Sequence, residues 1–312
     1  MWGNMLNRKQ LKKNIRYRLV YPALSLLPYD PAYALVSRLD NITFDEIVDA
    51  RNAYESQLQL FLPKLGLAPE LWSEYVKMQT GLRSRGELDA IWPYRPGRRS
   101  SDVPCVFSSE STALDLKKKG EGVIIVMAHY GRPVILCHAL ASLGIQHGLL
   151  TQTFDPELIN LDRAEMTFRM RGMENLLSAI GGPWFTLQTY MHPLYKALES
   201  GQWVIIMCDL FEPKPKSGLD LPFLDGKFLA PNGIARLARK TGARLVYGVG
   251  KEDLAGQVHV EMRPLPDDPE AGVAAAFAEL EKDVREYPWQ WHHWSVMREA
   301  WRPDNAIVAE AS

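Results

Sequence analysis

Two continuous runs of apolar residues stand out from the mixed pattern of the chain. Residues 122–128 read Gly-Val-Ile-Ile-Val-Met-Ala, and residues 202–208 read Gln-Trp-Val-Ile-Ile-Met-Cys. Both runs are too short to cross a membrane, and both are rich in β-branched residues, which predicts strands buried on both faces of a sheet. The first run ends at His129 and the second at Asp209, so each strand brings a titratable side chain to its carboxyl end.

The segments around these strands alternate between extended and helical patterns. Further strands are predicted at 145–151, 244–249 and 258–262. Helices are predicted at 111–119, 134–143, 157–171, 189–199, 232–240 and 269–287. All but the last are predicted to end at a glycine, namely Gly120, Gly144, Gly172, Gly201 and Gly242. Alternation of this kind predicts an α/β fold, with a mixed, mostly parallel sheet flanked by helices.

The first part of the chain has a different pattern and is predicted to be mostly helical. A helix over 45–62 is indicated by the capping box of Thr43 and Glu46 and by the stop at Pro63. A second helix over 69–80 is indicated by apolar positions that share one face.

A stretch rich in Pro, Arg, Gly and Ser follows at 92–104 and predicts a loop. We therefore divide the chain into a helical N-terminal segment, residues 1–98, and an α/β domain, residues 99–312. The N-terminal segment is the candidate for contact with a membrane.

Composition narrows the function only by exclusion. The net charge of −1 over 312 residues argues against a general nucleic-acid binder, whose affinity depends on a basic surplus. Three cysteines without CxxC spacing indicate a reducing compartment and argue against a zinc knuckle or a disulfide scaffold. The start of the chain shows no secretory signal pattern, so we expect a cytoplasmic protein.

The longest apolar stretch near the start, residues 19–27, is interrupted by Pro22 and closed by Pro28. It falls short of the roughly 20 residues that a transmembrane helix needs. Six basic residues precede it: Arg8, Lys9, Lys12, Lys13, Arg16 and Arg18. Two placements fit this pattern, one on a membrane surface and one against the core of the protein itself.

His129 and Asp209 are the candidate chemical groups. If their strands run parallel, the two side chains lie on the same rim of the sheet, where open α/β sheets place their active sites. A carboxylate beside an imidazole fixes its tautomer and makes it a general base. The structural alternatives are a histidine that merely satisfies a loop and an aspartate that caps a turn or helix.

Other mechanisms lack their motifs. The sequence contains no GxSxG elbow, no GxxxxGK[ST] loop and no GxGxxG after a strand, which argues against a serine hydrolase and against nucleotide binding. His292 and His293 are adjacent, unlike the i, i+4 pair of a helical zinc site, and Cys208 lies in an apolar strand that is typical of an inert thiol. The mechanism that remains is a base-catalysed transfer without a covalent enzyme intermediate.

Four blocks in order resemble a known family. They are the strand that ends in His129-Tyr-Gly, the strand that ends in Cys-Asp209, the block 221–243 with Leu-Pro-Phe-Leu-Asp-Gly and Pro-Asn-Gly, and the block Tyr287-Pro-Trp-Gln-Trp-His-His-Trp. Together they resemble the lipid A biosynthesis lauroyl/myristoyl acyltransferases of the lysophospholipid acyltransferase superfamily. The resemblance covers about residues 100–303.

The resemblance implies that His129 is the general base that deprotonates an acceptor hydroxyl or amine. That group then attacks a fatty acyl thioester carried by acyl carrier protein or coenzyme A, which serves as co-substrate, with no bound cofactor and no metal. The family's signature places an acidic residue five positions after the histidine, and here that position is Val134. Our hypothesis is that Asp209, or with less support Glu212, replaces the missing acid.

Four residues are candidates for substrate binding, namely Glu212, Arg132, Asn232 and Arg236. Arg132 lies in the histidine turn, and two roles fit it equally, a ligand for phosphate or another acidic group and a surface arginine packed on Tyr130. Asn232 and Arg236 lie in the Pro-Asn-Gly block, which the resemblance places near the active site. The tryptophans at 289, 291, 294 and 301 line either an acyl groove or the core, and we favour the core.

The resemblance implies an enzyme at the inner face of the cell membrane, in peripheral contact with it. The clear membrane helix that lipid A enzymes carry is missing, which leaves an acceptor from specialised metabolism open. The change at Val134 leaves a second alternative open, a catalytically silent relative that binds acyl chains or lipid.

Overall fold

The computed structural model describes residues 8–43, 48–152, 163–187, 189–210 and 217–304. The strands are β1 (Val106–Phe107), β2 (Val123–Met127), β3 (His147–Thr151), β4 (Gly181–Thr186), β5 (Trp203–Met207), β6 (Gly218–Pro222), β7 (Gly226–Pro231), β8 (Arg244–Glu252), β9 (Val258–Pro264) and β10 (Trp301–Pro303). The helices are α1 (Arg8–Ile15), α2 (Tyr21–Leu24), α3 (Tyr29–Thr43), α4 (Val48–Phe61), α5 (Trp72–Asp89), α6 (Glu110–Lys119), α7 (Pro133–Ser142), α8 (Arg163–Ile180), α9 (His192–Glu199), α10 (Gly233–Thr241), α11 (Pro269–Glu286) and α12 (Met297–Ala300).

Seven strands form the main sheet in the order β1-β9-β8-β2-β5-β3-β4. Strands β8, β2, β5, β3 and β4 run parallel to one another, whereas β9 runs antiparallel to β8. Strands β6, β7 and β10 form a separate antiparallel sheet. The predicted fold class, a mixed and mostly parallel sheet flanked by helices with helices before it, is confirmed.

The central strand β2 is apolar at every position because helices cover both of its faces. Val123, Ile125 and Met127 pack into one hydrophobic cluster, while Ile124 and Val126 pack into the cluster on the opposite face. Successive side chains of a strand point to opposite faces, so an unbroken apolar run is what a sheet covered on both sides requires.

Strand pairing fixes the position of the two candidate side chains. In the parallel pair of β2 and β5, Met127 lies opposite Met207. His129 and Asp209 each follow two residues later, so they leave the sheet side by side at its carboxyl rim.

The N-terminal helices pack against the same sheet. Tyr17, Tyr21 and Leu24 are buried in the cluster that contains Val123 and Ile125 of β2, which settles the core placement for that side of the segment. Between α1 and α2 the chain makes a short π-helical turn, residues Arg16–Val20. The division of the chain at residue 98 remains a prediction.

The opposite side of this segment faces outward. Leu19 and Leu26 are 64% and 66% exposed. Among the described residues, every helix is too short or too polar to span a bilayer.

Two predicted helix ends differ from the structure. Gly172 was expected to end a helix, but α8 continues through it to Ile180. A Cβ at Gly172 would lie 2.9 Å from the Cβ of Ala90, so this glycine allows α8 to approach the end of α5 closely. Helix α5 likewise continues past residue 80 to Asp89.

Some elements were not predicted, and some predictions cannot be compared with the structure. The sequence reading missed β4 and the hairpin β6–β7, whose short strands lack a continuous apolar run. The start of the helix predicted at 45–62, including Glu46 of the capping box, and the start of that predicted at 157–171 lie outside the described residues. The tryptophans are core residues as expected, since Trp291 and Trp294 are fully buried and Trp301 packs against the same cluster.

Candidate active site

The structure brings His129 and Asp209 into direct contact. The Nδ1 atom of His129 lies 2.8 Å from Oδ1 of Asp209, and the backbone N–H of His129 donates to both carboxylate oxygens at 3.1 and 3.0 Å. Asp209 is fully buried, whereas the His129 side chain is 31% exposed. The acid is therefore held inside the protein while the imidazole reaches solvent.

Asp209 is held as a carboxylate. Burial alone would raise its pKa, but the charges of His129 and His293 and the hydrogen bonds from His129 and Trp291 outweigh burial and keep the pKa well below its ordinary range. Trp291 contributes through its indole Nε1–H, which donates to Oδ2 at 2.9 Å. The bond to a carboxylate at Nδ1 assigns the proton of His129 to Nδ1 and leaves Nε2 as the basic nitrogen.

The turn after His129 depends on Gly131. This residue has φ of +63°, and a Cβ there would lie 2.2 Å from the carbonyl oxygen of Gly250. Only glycine fits such a position without displacing backbone. The turn is thereby pressed against strand β8, and Arg132 donates its N–H to the same Gly250 carbonyl at 2.7 Å.

A C-terminal segment, residues 290–293, lies along the histidine turn. Gly131 donates its N–H to Gln290 O at 2.9 Å, and His292 donates its N–H to His129 O at 2.8 Å. Tyr130 and Trp291 form an antiparallel bridge between the two. A segment about 160 residues further along the chain thus fixes the backbone of His129.

His293 packs directly on the candidate base. Its ring stacks on that of His129 with centroids 3.9 Å apart and planes 16° apart, and its Nδ1 lies 3.1 Å from the backbone oxygen of Asp209. Burial lowers the pKa of His293, and the charge of His129 adds to this effect, although Asp209 opposes it. A neutral ring with a fixed orientation therefore supports one face of His129.

His292 turns away from this stack. Its Nε2 lies 3.0 Å from the Gly131 oxygen, and its Nδ1 lies 3.3 Å from the side-chain nitrogen of Gln79. Burial lowers the pKa of His292 to about 4, so it is neutral near neutral pH. In that form Nε2–H donates to the turn and Nδ1 accepts from Gln79.

Arg132 does not face solvent. It is 1% exposed, and its guanidinium donates to both oxygens of Asp89 at 2.9 and 2.5 Å, to Glu252 at 2.9 Å and to the Tyr29 hydroxyl at 3.0 Å. The structure thus commits this arginine to protein partners behind the turn, whereas the sequence suggested a ligand for substrate or a surface residue packed on Tyr130.

The other candidate residues are not joined to this centre. Asn232 precedes α10 and is half-buried, its side-chain oxygen having no hydrogen-bond partner within the described residues, and Arg236 is exposed on the first turns of that helix. In the described part of the chain, no hydrogen bond or ion pair links either residue to His129. Glu212 lies outside the described residues.

A cavity of about 460 Å³ opens beside the histidine turn between α5, α7 and α8. Gly131 and His293 line it, Val134 and Leu176 supply apolar wall, and Arg83, Glu87 and Arg169 supply charged wall. The position where the family carries an acid is therefore occupied by an apolar residue of a cavity that borders the histidine turn.

His129, Asp209 and His293 are also close enough to hold a cation, because each offers a ligand atom and these atoms lie within 4.8 Å of one another. Both oxygens of Asp209, however, already accept hydrogen bonds from Trp291 or His129. A cation would have to displace the Nδ1 proton of His129. The set suits a hydrogen-bonded base better than a metal centre.

Comparison with known proteins now identifies the relationship. The family model described as bacterial lipid A biosynthesis acyltransferase matches residues 83–298, which is more than half of the chain. The chain belongs to this acyltransferase family. The match spans His129, Asp209 and the 290–293 segment, and no curated protein matches the chain.

Sequence reasoning missed two members of this centre in the acyltransferase. Trp291 was assigned to the core, which is correct for its ring, but its N–H also contacts Asp209. His293 was considered only as half of a zinc pair. Its place in the block of residues 287–294 gave no distance to His129, and the bridge between Tyr130 and Trp291 brings the two histidines together.

Proposed function

We propose that the protein transfers a fatty acyl group from an acyl-carrier-protein or coenzyme A thioester to a hydroxyl or amine of a lipid-like acceptor. His129 is the general base, and no acyl-enzyme forms. The observation that carries this proposal is the 2.8 Å contact of His129 Nδ1 with buried Asp209, made by an imidazole that is one third exposed. Membership of an acyltransferase family supports the reaction class.

The chemical step uses the free Nε2 of His129. Nε2 takes the proton from the acceptor O–H or N–H as the oxygen or nitrogen attacks the thioester carbonyl carbon. The tetrahedral intermediate then expels the thiolate, the C–S bond breaks, and the imidazolium returns the proton to sulfur. Asp209 stabilises the imidazolium, as a carboxylate does beside a catalytic histidine, and a general base of this kind contributes about 10²- to 10⁴-fold.

Three other residues have supporting roles in this proposal. His293 and Arg132 are positioning residues, since the first holds the ring of His129 and the second holds its turn against α5. Val134 belongs to the wall that accommodates the acyl chain, together with Met173 and Leu176. A cavity of this size has room for part of a hydrocarbon chain along its apolar wall.

We further propose peripheral contact with the inner face of the cell membrane, from the cytoplasmic side. Leu11, Ile15 and Leu19 are spaced four residues apart on α1 and the turn after it, and all three are exposed. Arg18 lies exposed beside them, as an amphipathic helix on an anionic bilayer requires. Replacement of Ile15 and Leu19 by Gln should reduce sedimentation with anionic vesicles, and unchanged sedimentation would remove this contact from the proposal.

The decisive experiment measures thiol release from a panel of acyl-carrier-protein and acyl-CoA thioesters, with lipid, hydroxyl and amine acceptors, the last including specialised metabolites. Release that depends on acceptor and disappears in His129→Ala supports the proposal. His259→Ala is the matched control, because His259 also contacts an aspartate, Asp253, at 3.0 Å but on the surface.

The competing function is a silent relative that binds acyl chains without turning them over, motivated by Val134. Acyl-chain binding by folded protein with no thiol release from any donor would favour it. The partly exposed, acid-paired imidazole supports the active enzyme, since a binding protein has no need of a buried carboxylate at that position.

A further inference from the structure

A second cavity, of about 310 Å³, lies along a neighbouring face of α8. Phe168 lines both this cavity and the one beside the histidine turn. The two cavities therefore share a wall residue, and the first of them also borders the histidine turn through Gly131 and Arg132.

Three arginines line the second cavity, namely Arg18, Arg95 and Arg171, and none of its described lining residues is acidic. They come from three separate parts of the chain: the π-helical turn after α1, the loop after α5, and α8. We call them the arginine triad. Three guanidinium groups around one cavity without a carboxylate leave positive charge that a bound anion would neutralise.

Arg95 is the most constrained member of the triad. Its Nε donates to the Ser25 hydroxyl at 2.6 Å and its Nη2 to the Pro22 carbonyl at 2.9 Å, while its Nη1 has no partner within the described residues. Burial lowers the pKa of Arg95, and the positive charges of Arg171 and Arg98 lower it further. Arg95 is therefore held in place with one donor group free and its charge uncompensated.

Two arginines that lie close to the triad in the sequence do have acidic partners. Arg16 pairs with Glu87 at 3.5 Å, and Arg169 pairs with Glu165 at 3.0 Å. Within the described residues, Arg18 and Arg171 form no ion pair, although each lies two positions from a paired arginine. Tyr94, which lines the same cavity, has a hydroxyl without a hydrogen-bond partner in the described residues.

We propose that the arginine triad binds a phosphate group of a substrate. The planar guanidinium fork matches phosphate oxygens, and three cations suit a dianion better than a carboxylate. The assignment of this phosphate to a substrate rests on the proposed function, because Phe168 lines both the cavity of the triad and the cavity beside the histidine turn. Two sources carry the required chemistry, the phosphopantetheine arm of a thioester donor and the phosphate of an acceptor lipid headgroup.

Binding is measured calorimetrically with the His129→Ala variant, which retains the triad and prevents turnover. Phosphopantetheine is compared with pantetheine to test the donor source. Phosphatidic acid is compared with diacylglycerol, both in neutral detergent micelles, to test the lipid source. The triad variants are Arg18→Gln, Arg171→Gln and the double variant, which spare Arg95 and its structural hydrogen bonds.

Arg163→Gln is the matched control, since it removes one positive charge from an exposed position two turns earlier on α8 and outside the cavity. We expect one phosphorylated probe to bind more tightly than its phosphate-free partner, with about tenfold weaker binding for each triad arginine removed and little change in the control. The probe that responds identifies the source.

Two results would overturn the proposal: equal binding of phosphorylated and phosphate-free probes, or an equal loss in Arg163→Gln and Arg171→Gln. Its failure is distinguishable from failure of the proposed function. If thiol is released but the phosphate group has no effect on binding, the proposed acyltransferase function stands and the phosphate-binding role of the triad is rejected. If the phosphate group strengthens binding but no thiol is released, the role of the triad stands and the proposed function is rejected.

Discussion

The imidazole of His129 and the carboxylate of Asp209 meet at 2.8 Å although 80 residues separate them in the chain. Their contact follows from the pairing of two parallel strands, in which Met127 lies opposite Met207. Asp209 reaches His129 from the neighbouring strand, and the helix after the histidine contributes Val134 to the wall of a cavity instead.

Replacing Asp209 with Asn should lower kcat/KM by about 10²- to 10⁴-fold. Asparagine can no longer fix the Nδ1–H tautomer of His129 or stabilise the imidazolium. Thiol release and a denaturant titration on the same sample separate loss of activity from loss of fold. Asp253→Asn, which alters the surface pair with His259, should retain full activity. Equal activity of the two variants would exclude Asp209 from the mechanism.

Replacing Gly131 with Ala should be far more harmful than replacing Gly242. Both glycines have positive φ, of +63° and +68°, but a Cβ at Gly131 meets the Gly250 oxygen at 2.2 Å, whereas nothing lies within 4 Å of a Cβ at Gly242. Gly242→Ala should cost about 1 kcal/mol of unfolding free energy, and Gly131→Ala roughly 3 kcal/mol more. Thiol release should fall only in Gly131→Ala, because the turn that carries His129 must move. Similar unfolding midpoints would contradict the close contact at Gly131.

Arg132→Met should destabilise the fold by about 3–5 kcal/mol, since it leaves buried Asp89 without its ion-pair partner among the described residues and Glu252 with Arg85 alone. The exposed Arg244, paired with Glu121 and Asp267, provides the comparison, and Arg244→Met should cost less than about 1 kcal/mol. Denaturant unfolding measures both. Adding Asp89→Asn and Glu252→Gln to Arg132→Met should recover part of the loss, and no recovery would argue that packing of the side chain dominates.

Buried His147 should make stability depend on pH. Burial lowers its pKa from 6.5 to about 4 in the folded protein, so the unfolded chain takes up a proton between these values that the folded chain does not. The stability is therefore complete above pH 6.5 and falls by about 3 kcal/mol as the pH drops towards 4. His147→Leu should reduce the difference in unfolding free energy between pH 7 and pH 4 by that amount. The control variant, His192→Gln at an exposed position, should leave this difference in unfolding free energy as in the wild type. If His147→Leu also leaves it unchanged, burial of His147 is not the origin of the pH dependence.

Much of the fold was accessible from local sequence. The strands that end at His129 and Asp209 were predicted because each is a continuous apolar run, and the pairing of their end residues followed from the assumption that they are parallel. Glycine was a less reliable signal for the ends of helices. At Gly242 it ends a helix as expected, whereas at Gly172 it lets two helices touch, and the two uses look the same in sequence.

The rest of the candidate site depends on long-range contacts that no local pattern reports. His293 reaches His129 through a bridge between residues about 160 positions apart. The burial of Arg132 depends on Asp89 and Glu252, which come from different elements on either side of it. From sequence alone, a charged residue in a turn is predicted to be exposed, because its buried partners lie far away in the chain.

The register of β2 and β5 also bears on how members of this family are judged from sequence. A search that demands an acid five residues after the histidine would discard this chain as degenerate. The sheet nevertheless supplies a carboxylate to Nδ1 of His129, from a strand that no such pattern includes. Whether a divergent relative has kept its acid is therefore decided by which strand lies next to the histidine strand and what residue ends it.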